Sequence, residues 1–177
     1  MARKFFCVCA GMFLLASAAR AQSPAFITKW ISGASGPLSL PCAVAVSLDG
    51  SVYVADTWYG RVQKFNYSGG FQSPWGNGEG FNYPMGVAVD GSGSVFVADY
   101  GGQRIVKFTS AGSLITQFGS RGSGDGQFNF PEGVAVDGTG NVYVVEQGNN
   151  RVQVFTGEGV YLTQWGTAGA GNSQFND

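Results

Sequence analysis

An acidic residue and an arginine recur together along the chain, always five residues apart. A carboxylate and a guanidinium form strong, often bidentate hydrogen bonds, so each pair could do acid–base chemistry or brace a short loop. We predict the structural role, because a catalytic site requires one unit to differ from the others and every unit carries the pair. The pairs are Asp56/Arg61, Asp99/Arg104 and Glu146/Arg151.

Other chemistries are limited by residue type. The chain has 177 residues and no histidine, which excludes Ser-His-Asp triads, Cys-His pairs and His-ligated zinc within it. Asp125 lies in the segment 122–126, rich in Gly and Ser, where a carboxylate could contribute to a Ca²⁺ site. Such a segment is more typical of a flexible loop. We therefore expect no catalytic residue, no metal site and no cofactor.

The paired residues belong to a longer repeat. The motif Pro-x-Gly-Val-Ala-Val-Asp begins at Pro84 and Pro131, and a variant begins at Pro41, so the intervals are 43 and 47 residues. The arginines of the pairs have the same two intervals. Units of this length cannot bury their apolar faces alone and must pack against one another. The sequence thus predicts a stacked-repeat architecture.

Each unit has the pattern of four strands. In the second unit we predict strands over 86–89, 95–98, 104–108 and 114–118, with a tight turn at Asp90-Gly91. Both faces of the segment 95–98 are apolar, which indicates a sheet covered on both sides. Four-stranded antiparallel sheets with this property are typical of propeller blades. The predicted class is all-β.

The chain resembles the NHL-repeat family of β-propellers. The third unit carries the resemblance best, with Gly-Asn-Val-Tyr-Val-Val-Glu from Gly140 and Asn-Arg-Val-Gln-Val-Phe from Asn150. The resemblance implies that the first strand of each blade lines the central channel and the fourth is outermost. Ala43, Ser47 and Glu146 depart from the motif, and we expect them to be tolerated changes in turn chemistry.

The resemblance also sets the domain boundaries. We expect blades at 41–83, 84–130 and 131–177, preceded by a linker at 22–40 that contains an orphan outer strand, Phe26–Trp30. Three full blades form an incomplete ring. We therefore expect a truncated propeller or, alternatively, a dimer of half-rings that associates through open blade edges.

The segment 1–21 has the pattern of a secretory signal peptide. A basic start at Arg3 and Lys4 precedes an apolar run, and a small-x-small site predicts cleavage after Ala21. The alternative is an uncleaved membrane anchor, although the run is short for a span. Cleavage predicts a secreted or periplasmic protein with no membrane span.

Cleavage also changes the charge and the cysteine count. It leaves 7 Lys+Arg against 11 Asp+Glu, a net charge of −4, which disfavours nucleic acid as a partner. Cys42 remains as the single cysteine and cannot form an internal disulfide. Its position at the start of a strand predicts a buried, inert thiol.

Candidate binding residues lie on loops that emerge at one face of the predicted propeller. Aromatic residues on loop tips could anchor a protein or stack on a sugar ring, or could instead cover the edges of neighbouring blades. The candidates are Trp58, Tyr59, Tyr100, Arg121, Asn149 and Asn150.

Taken together, these features favour an exported, non-enzymatic scaffold that recognises a protein or carbohydrate. The alternative is a fragment of a propeller enzyme, because the resemblance extends to lactonases that use Ca²⁺ and to lyases that use His-ligated zinc. In that case the catalytic residues would lie in other blades. RNA binding, known in cytoplasmic NHL proteins, is disfavoured by the predicted export and the negative charge.

Overall fold

Three four-stranded sheets make up the described part of the protein. The computed structural model describes residues 36–75 and 79–175, and no helix occurs in them. We call the sheets blade 1 (β1–β4), blade 2 (β5–β8) and blade 3 (β11–β14). Their strands are β1 (Pro41–Val46), β2 (Val52–Asp56), β3 (Arg61–Phe65), β4 (Phe71–Trp75), β5 (Pro84–Val89), β6 (Val95–Asp99), β7 (Arg104–Phe108), β8 (Leu114–Phe118), β11 (Pro131–Val136), β12 (Val142–Glu146), β13 (Arg151–Phe155) and β14 (Tyr161–Trp165). The connections between blades 2 and 3 and after blade 3 form the short strands β9 (Ser120–Arg121), β10 (Gln127–Phe128), β15 (Thr167–Ala168) and β16 (Gln174–Phe175).

Each blade is an antiparallel meander in which the strands pair in chain order. The predicted all-β fold with four-stranded antiparallel blades is confirmed, and the three described blades do not close a ring. The first strand of blade 2 begins at Pro84, two residues earlier than predicted. The reason is a β-bulge between Pro84 and Gly86, repeated at the same position in the other two blades, which lets the proline join the strand.

The core lies between the blades. One cluster joins blades 1 and 2, where Trp75 and Phe81 pack against Phe108 with ring centroids 4.7 and 5.9 Å apart. An equivalent cluster joins blades 2 and 3, where Phe128 packs against Phe155 at 5.5 Å. Blade 2 is therefore covered on both faces, and every residue of β6 is buried. The apolar residues on both faces of β6 are therefore packed as the sequence pattern predicted.

The connection between blades 2 and 3 differs from expectation. The segment around Asp125 is not an irregular loop, because β9 and β10 pair in parallel on either side of it. The amide of Gly122 donates to the carbonyl of Phe128 at 2.9 Å, and that of Gln127 donates to Gly124 at 3.1 Å. These bonds satisfy the backbone and give the connection a defined turn.

Cys42 also differs from expectation. Its thiol is half-exposed rather than buried and lies 3.5 Å from the carbonyl oxygen of Leu40. The cause is the β-bulge of β1, which places Cys42 between the paired residues Pro41 and Ala43.

The predicted signal peptide, the orphan strand at 26–30 and residues 77–78 of the first connection lie outside the described residues. In the described ranges no helix could span a membrane.

Candidate functional site

The three acid–arginine pairs form ion pairs. The Nε atom of each arginine donates to the carboxylate, at 2.7 Å in Asp56/Arg61, 2.9 Å in Asp99/Arg104 and 2.6 Å in Glu146/Arg151. All three carboxylates are fully buried. A carboxylate with no exposed surface cannot contact a ligand, so this geometry supports a bracing role in each blade.

Each carboxylate also fixes the start of its own blade. It accepts the backbone amide two positions before the first-strand proline, at 2.7 Å from Ser39, 2.7 Å from Asn82 and 2.8 Å from Asn129. The arginine continues the network on its other side. The guanidinium of Arg151 donates to the carbonyls of Ser123, Gly124 and Gln127 in the connection from the preceding blade. The pairs therefore tie three segments together.

The side chain of Glu146 is one methylene group longer than that of Asp56 or Asp99, and its carboxylate accepts hydrogen bonds from more donors. One oxygen accepts Arg151 and Gln153, and the other accepts the amide of Asn129 and the side chain of Asn149. Asn149 donates in addition to the carbonyl of Gly122 at 3.0 Å. The structure thus places this candidate binding residue in the brace of blade 3.

Tyr100 lies at the boundary between blades 2 and 3. Its ring stacks on Phe130, with centroids 4.8 Å apart and planes 21° apart, and its hydroxyl donates to Gln147 at 2.9 Å. The ring is half-buried. This placement matches the alternative in which a loop aromatic covers a neighbouring blade.

Trp58 and Tyr59 remain exposed at the boundary between blades 1 and 2. Tyr83 of the next blade joins them, because its ring packs edge-on against Trp58 at 6.2 Å. The exposed fractions are 60% for Trp58, 52% for Tyr59 and 46% for Tyr83, so the rings offer apolar area to a ligand. The guanidinium of Arg61 lies 5.0 Å from the centroid of Tyr59. We call Trp58, Tyr59 and Tyr83 the aromatic cluster.

Tyr83 was not among the residues predicted from the sequence. A signal was present, because a large apolar or aromatic residue precedes the first-strand proline in every unit, as Leu40, Tyr83 and Phe130. These residues adopt φ angles of 49°, 58° and 58°. The left-handed conformation is uncommon for side chains of this size. It turns the chain into the first strand next to the loop between the second and third strands.

The remaining candidates lie in other blades. Arg121 is exposed on β9, between blades 2 and 3. Asn150 has a φ of 50° in the loop between β12 and β13, where Gln103 occupies the equivalent place in blade 2 with a φ of 56°. The six predicted residues therefore do not form one site: Trp58 and Tyr59 share the loop between β2 and β3, whereas Asn149 and Asn150 share the loop between β12 and β13.

Acidic residues of the hairpin turns lie at the opposite face. Asp137 accepts hydrogen bonds from Thr139, Asn141 and the hydroxyl of Tyr143. The side chain of Thr139 is the main reason that the pKa of Asp137 lies well below its usual range, and the bond to Asp137 raises the pKa of Tyr143. In 36–75 and 79–175, no group of three or more His, Cys, Asp or Glu is placed to hold a metal ion.

Two family models match the chain. The model described as the SMP-30/Gluconolactonase/LRE-like region covers residues 26–122, which is more than half of the sequence. The chain belongs to the SMP-30/gluconolactonase/LRE-like family. The NHL repeat model matches residues 128–155, which confirms the resemblance to NHL-repeat propellers. Comparison with curated proteins gave no match.

Solved structures share the propeller fold with this SMP-30/gluconolactonase-like chain. A streptogramin B lyase aligns with a TM-score of 0.60 and 17% identity, over 74% of this chain and 42% of the lyase. A Xanthomonas campestris gluconolactonase aligns at 0.56 and 22%, over 73% and 48%. Kuenenia stuttgartiensis hydrazine synthase aligns at 0.59 and 16%, over 79% and 40%. The chain spans less than half the length of each of these proteins.

Proposed function

We propose that the protein is an exported, non-enzymatic scaffold that recognises a protein or carbohydrate through its loop face. The observation that carries this proposal is the aromatic cluster, in which Trp58, Tyr59 and Tyr83 all remain exposed next to a buried blade boundary. Trp and Tyr are common anchors of binding surfaces because they offer a large contact area and few rotatable bonds.

The distribution of acidic groups supports binding over catalysis. The three carboxylates at the ends of the second strands are buried and ion-paired. The inner strands carry mainly Val, Ala and Gly. The described blades thus offer a stable frame and variable loops.

The experiment uses two kinds of probe. The purified chain is applied to an oligosaccharide array, and a photo-crosslinking amino acid at Tyr59 reports protein contacts in the envelope of the producing cells. Tyr67 provides the matched control, because it is 83% exposed in the hairpin between β3 and β4, at the opposite face. Array signals lost in Trp58→Ala and kept in Tyr67→Ala indicate a carbohydrate, and crosslinks specific to position 59 indicate a protein. Absence of both contradicts the proposal.

Export is a separate part of the proposal and rests on the segment 1–21. Fractionation of the producing cells and N-terminal sequencing test it, with Gln22 as the expected first residue. Recovery of uncleaved protein in the cytoplasm would contradict it.

A second candidate is hydrolysis of a lactone, which the family match over residues 26–122 favours. The active site for this reaction would require catalytic residues other than those that the structure describes. The purified chain is assayed for release of acid from glucono-lactone with and without added Ca²⁺. Turnover that survives in Trp58→Ala would favour this candidate over the scaffold.

A further inference from the structure

Trp58 occupies a position at which the other two blades carry glycine. The residues that stand two positions after the second strand are Trp58, Gly101 and Gly148. Neither glycine has a positive φ angle, so the backbone conformation does not require glycine there. A Cβ atom at Gly101 would instead lie 2.6 Å from the Cγ and Nδ2 atoms of Asn82. The side chain of Asn129 fills the same space against Gly148, so an asparagine covers this position in both blades.

Blade 1 changes both members of this contact. Ser39 stands where Asn82 and Asn129 stand in the other blades, and its side chain has fewer heavy atoms. The backbone contact is kept, because the amide of Trp58 donates to the carbonyl of Ser39 at 3.1 Å, as that of Gly101 does in blade 2. The shorter side chain leaves room for the indole ring. The blade fold therefore does not require a tryptophan here, and two coordinated departures from the repeat place it.

Hydrogen bonds hold the loop that carries Trp58 and Tyr59. The hydroxyl of Thr57 is buried and donates to the carbonyl of Pro84 in the next blade at 2.7 Å. The amide of Gly60 donates to the carbonyl of Thr57 at 3.1 Å and closes the turn. The two rings are thus presented by an ordered loop, so a ligand does not have to order the backbone when it binds.

The boundary between blades 1 and 2 leaves its aromatic faces open, unlike the next boundary. Between blades 2 and 3, Tyr100 and Phe130 stack with their planes 21° apart, so each ring covers a face of the other. Trp58 and Tyr83 meet edge-on instead, with their planes 64° apart. An edge-on pair leaves more of its ring faces uncovered than a stacked pair does. Flat apolar surface is therefore available beside Trp58.

The area of the aromatic cluster fits a small ligand better than a folded protein. Each of its three residues exposes about half of its surface, which amounts to roughly 250–400 Å² in total for side chains of this size. One partner of a standard protein–protein interface buries about 800 Å². The cluster offers about half of that area or less, which is sufficient for the flat faces of a short run of sugar rings.

The charge and polarity around the rings favour a neutral, hydroxyl-rich ligand. The guanidinium of Arg61 lies 5.0 Å from the centroid of Tyr59, so a positive charge is already present and a cationic ligand is disfavoured. The hydroxyls of Tyr59 and Tyr83 make no hydrogen bond to any residue in 36–75 or 79–175. A sugar combines an apolar face of C–H groups with hydroxyls at its edge, so it matches exposed rings flanked by donors and acceptors.

We propose that the aromatic cluster binds an oligosaccharide of pyranose sugars, with sugar rings lying on the faces of Trp58 and Tyr83. This inference rests on the proposed loop-face function and names its ligand class. Sugars with equatorial substituents present C–H groups on both ring faces. The expected ligands are therefore β-1,4-linked chains of glucose or N-acetylglucosamine.

Isothermal titration calorimetry of the purified full chain tests this assignment. The probes are the β-1,4-linked hexasaccharide of glucose and that of N-acetylglucosamine, and we expect saturable binding of at least one of them. Trp58→Ala should weaken the affinity at least about tenfold, because it removes the main stacking surface. Tyr83→Ala should weaken it as well. Tyr67→Ala is the control, because Tyr67 is an exposed aromatic residue at the opposite face and should leave the affinity unchanged.

A second variant removes the indole ring while keeping a contact that the fold already uses. Ser39→Asn combined with Trp58→Gly gives blade 1 the asparagine–glycine pair of the other two blades. Thermal unfolding followed by circular dichroism should show that this double variant remains folded, and calorimetry should show that it no longer binds the sugar. A folded double variant that binds like the original chain would place the sugar site elsewhere.

The outcomes separate this inference from the loop-face function on which it rests. A lack of binding to both hexasaccharides, together with crosslinks specific to position 59, would overturn the sugar assignment and leave a protein-binding scaffold. Binding of a proline decapeptide that is lost in Trp58→Ala, without sugar binding, would assign the cluster to a peptide instead. Absence of sugar binding, peptide binding and crosslinks would overturn both proposals.

Discussion

The hydroxyl of Ser47 donates a hydrogen bond to the carboxylate of Asp49 in the first hairpin turn of blade 1. In the other blades the two positions have the opposite roles, so the acid comes first and the hydroxyl follows. The departure of Ser47 from the repeat motif is thus compensated two residues later, and the turn keeps its bond. The equivalent donor–acceptor pairs are Ser92/Asp90 and Thr139/Asp137, at 2.7 Å each.

We predict that Ser47→Ala raises the pKa of Asp49 from about 2 toward the ordinary aspartate value of 3.8, because the hydrogen bond from the hydroxyl of Ser47 is the largest cause of the lowered pKa. The pKa should rise only part of the way, because the amide and hydroxyl of Ser51 still donate hydrogen bonds to the carboxylate of Asp49. Titration of the Asp49 carboxyl carbon by NMR measures the shift. Ser68→Ala is the control, because Ser68 donates to the neutral amide of Asn66 in another turn.

The same bond sets a pH dependence of stability. Because the pKa of Asp49 is lower in the folded chain than in the unfolded chain, its contribution is complete above about pH 4. It is lost as the pH falls toward 2. Urea unfolding should therefore show that Ser47→Ala is destabilised at pH 7 and that the difference shrinks in acid. A difference that stays constant with pH would contradict this origin.

Arg151→Ala should be the most damaging change among the three braces. The side chain of Arg151 is 8% exposed and holds Glu146 and three backbone carbonyls, so its loss leaves a buried carboxylate without its cation. We expect a cost of about 3–5 kcal/mol. Arg61→Ala should cost less, because Arg61 is 24% exposed. The cost of Arg151→Lys should lie between those of Arg151→Ala and Arg61→Ala, because lysine keeps the positive charge but lacks the planar guanidinium. Equal costs of the three variants, measured by urea unfolding, would contradict this prediction.

Gly86→Ala should destabilise the contact between blades 2 and 3. A Cβ atom at position 86 would lie 2.8 Å from the carbonyl oxygen of Glu132 and 3.0 Å from the amide nitrogen of Val134, and backbone atoms cannot move aside alone. Overpacking of this kind costs about 1–3 kcal/mol. In Gly133→Ala the nearest atoms would be those of Val145 at 3.7 Å, so the single chain should tolerate it. Urea unfolding at low protein concentration compares the two variants.

Phe128→Ala and Phe175→Ala should differ in their effect on stability, because Phe128 lies in a buried contact between two blades and Phe175 lies on an exposed blade face. Phe128 is fully buried against Phe118 and Phe155, and its truncation should cost about 3–5 kcal/mol. Phe175 is 38% exposed, so its truncation should cost the single chain much less. Thermal unfolding followed by circular dichroism at low concentration measures both. Similar costs would show that Phe175 is already covered within one copy.

The strands could be predicted because their signals are local. Apolar residues on both faces of β6, Asp-Gly turns and a regular interval define the blade without knowledge of its neighbours. The ion pairs were predictable for the same reason, since five residues span a hairpin loop, as in Asp99/Arg104. The structure adds the third member of each brace, a backbone amide such as that of Asn82.

The candidate site was less predictable because exposure depends on the next blade. Tyr100 and Trp58 are both loop aromatics, yet Phe130 stacks flat on the first while Tyr83 packs edge-on against the second. These contacts join loops of different blades, so no local sequence pattern determines which aromatic ring remains exposed. Pairing of β9 with β10 was missed for a similar reason, because two-residue strands leave no periodicity.

The brace from each carboxylate to the amide before its own first strand also constrains how the chain folds. Asp56 and Ser39, Asp99 and Asn82, and Glu146 and Asn129 are all 17 residues apart. Contacts this close in sequence require little loop-closure entropy and form early. We therefore expect the brace of each blade to form locally, whereas the apolar faces of the blade become buried only when it docks on its neighbour.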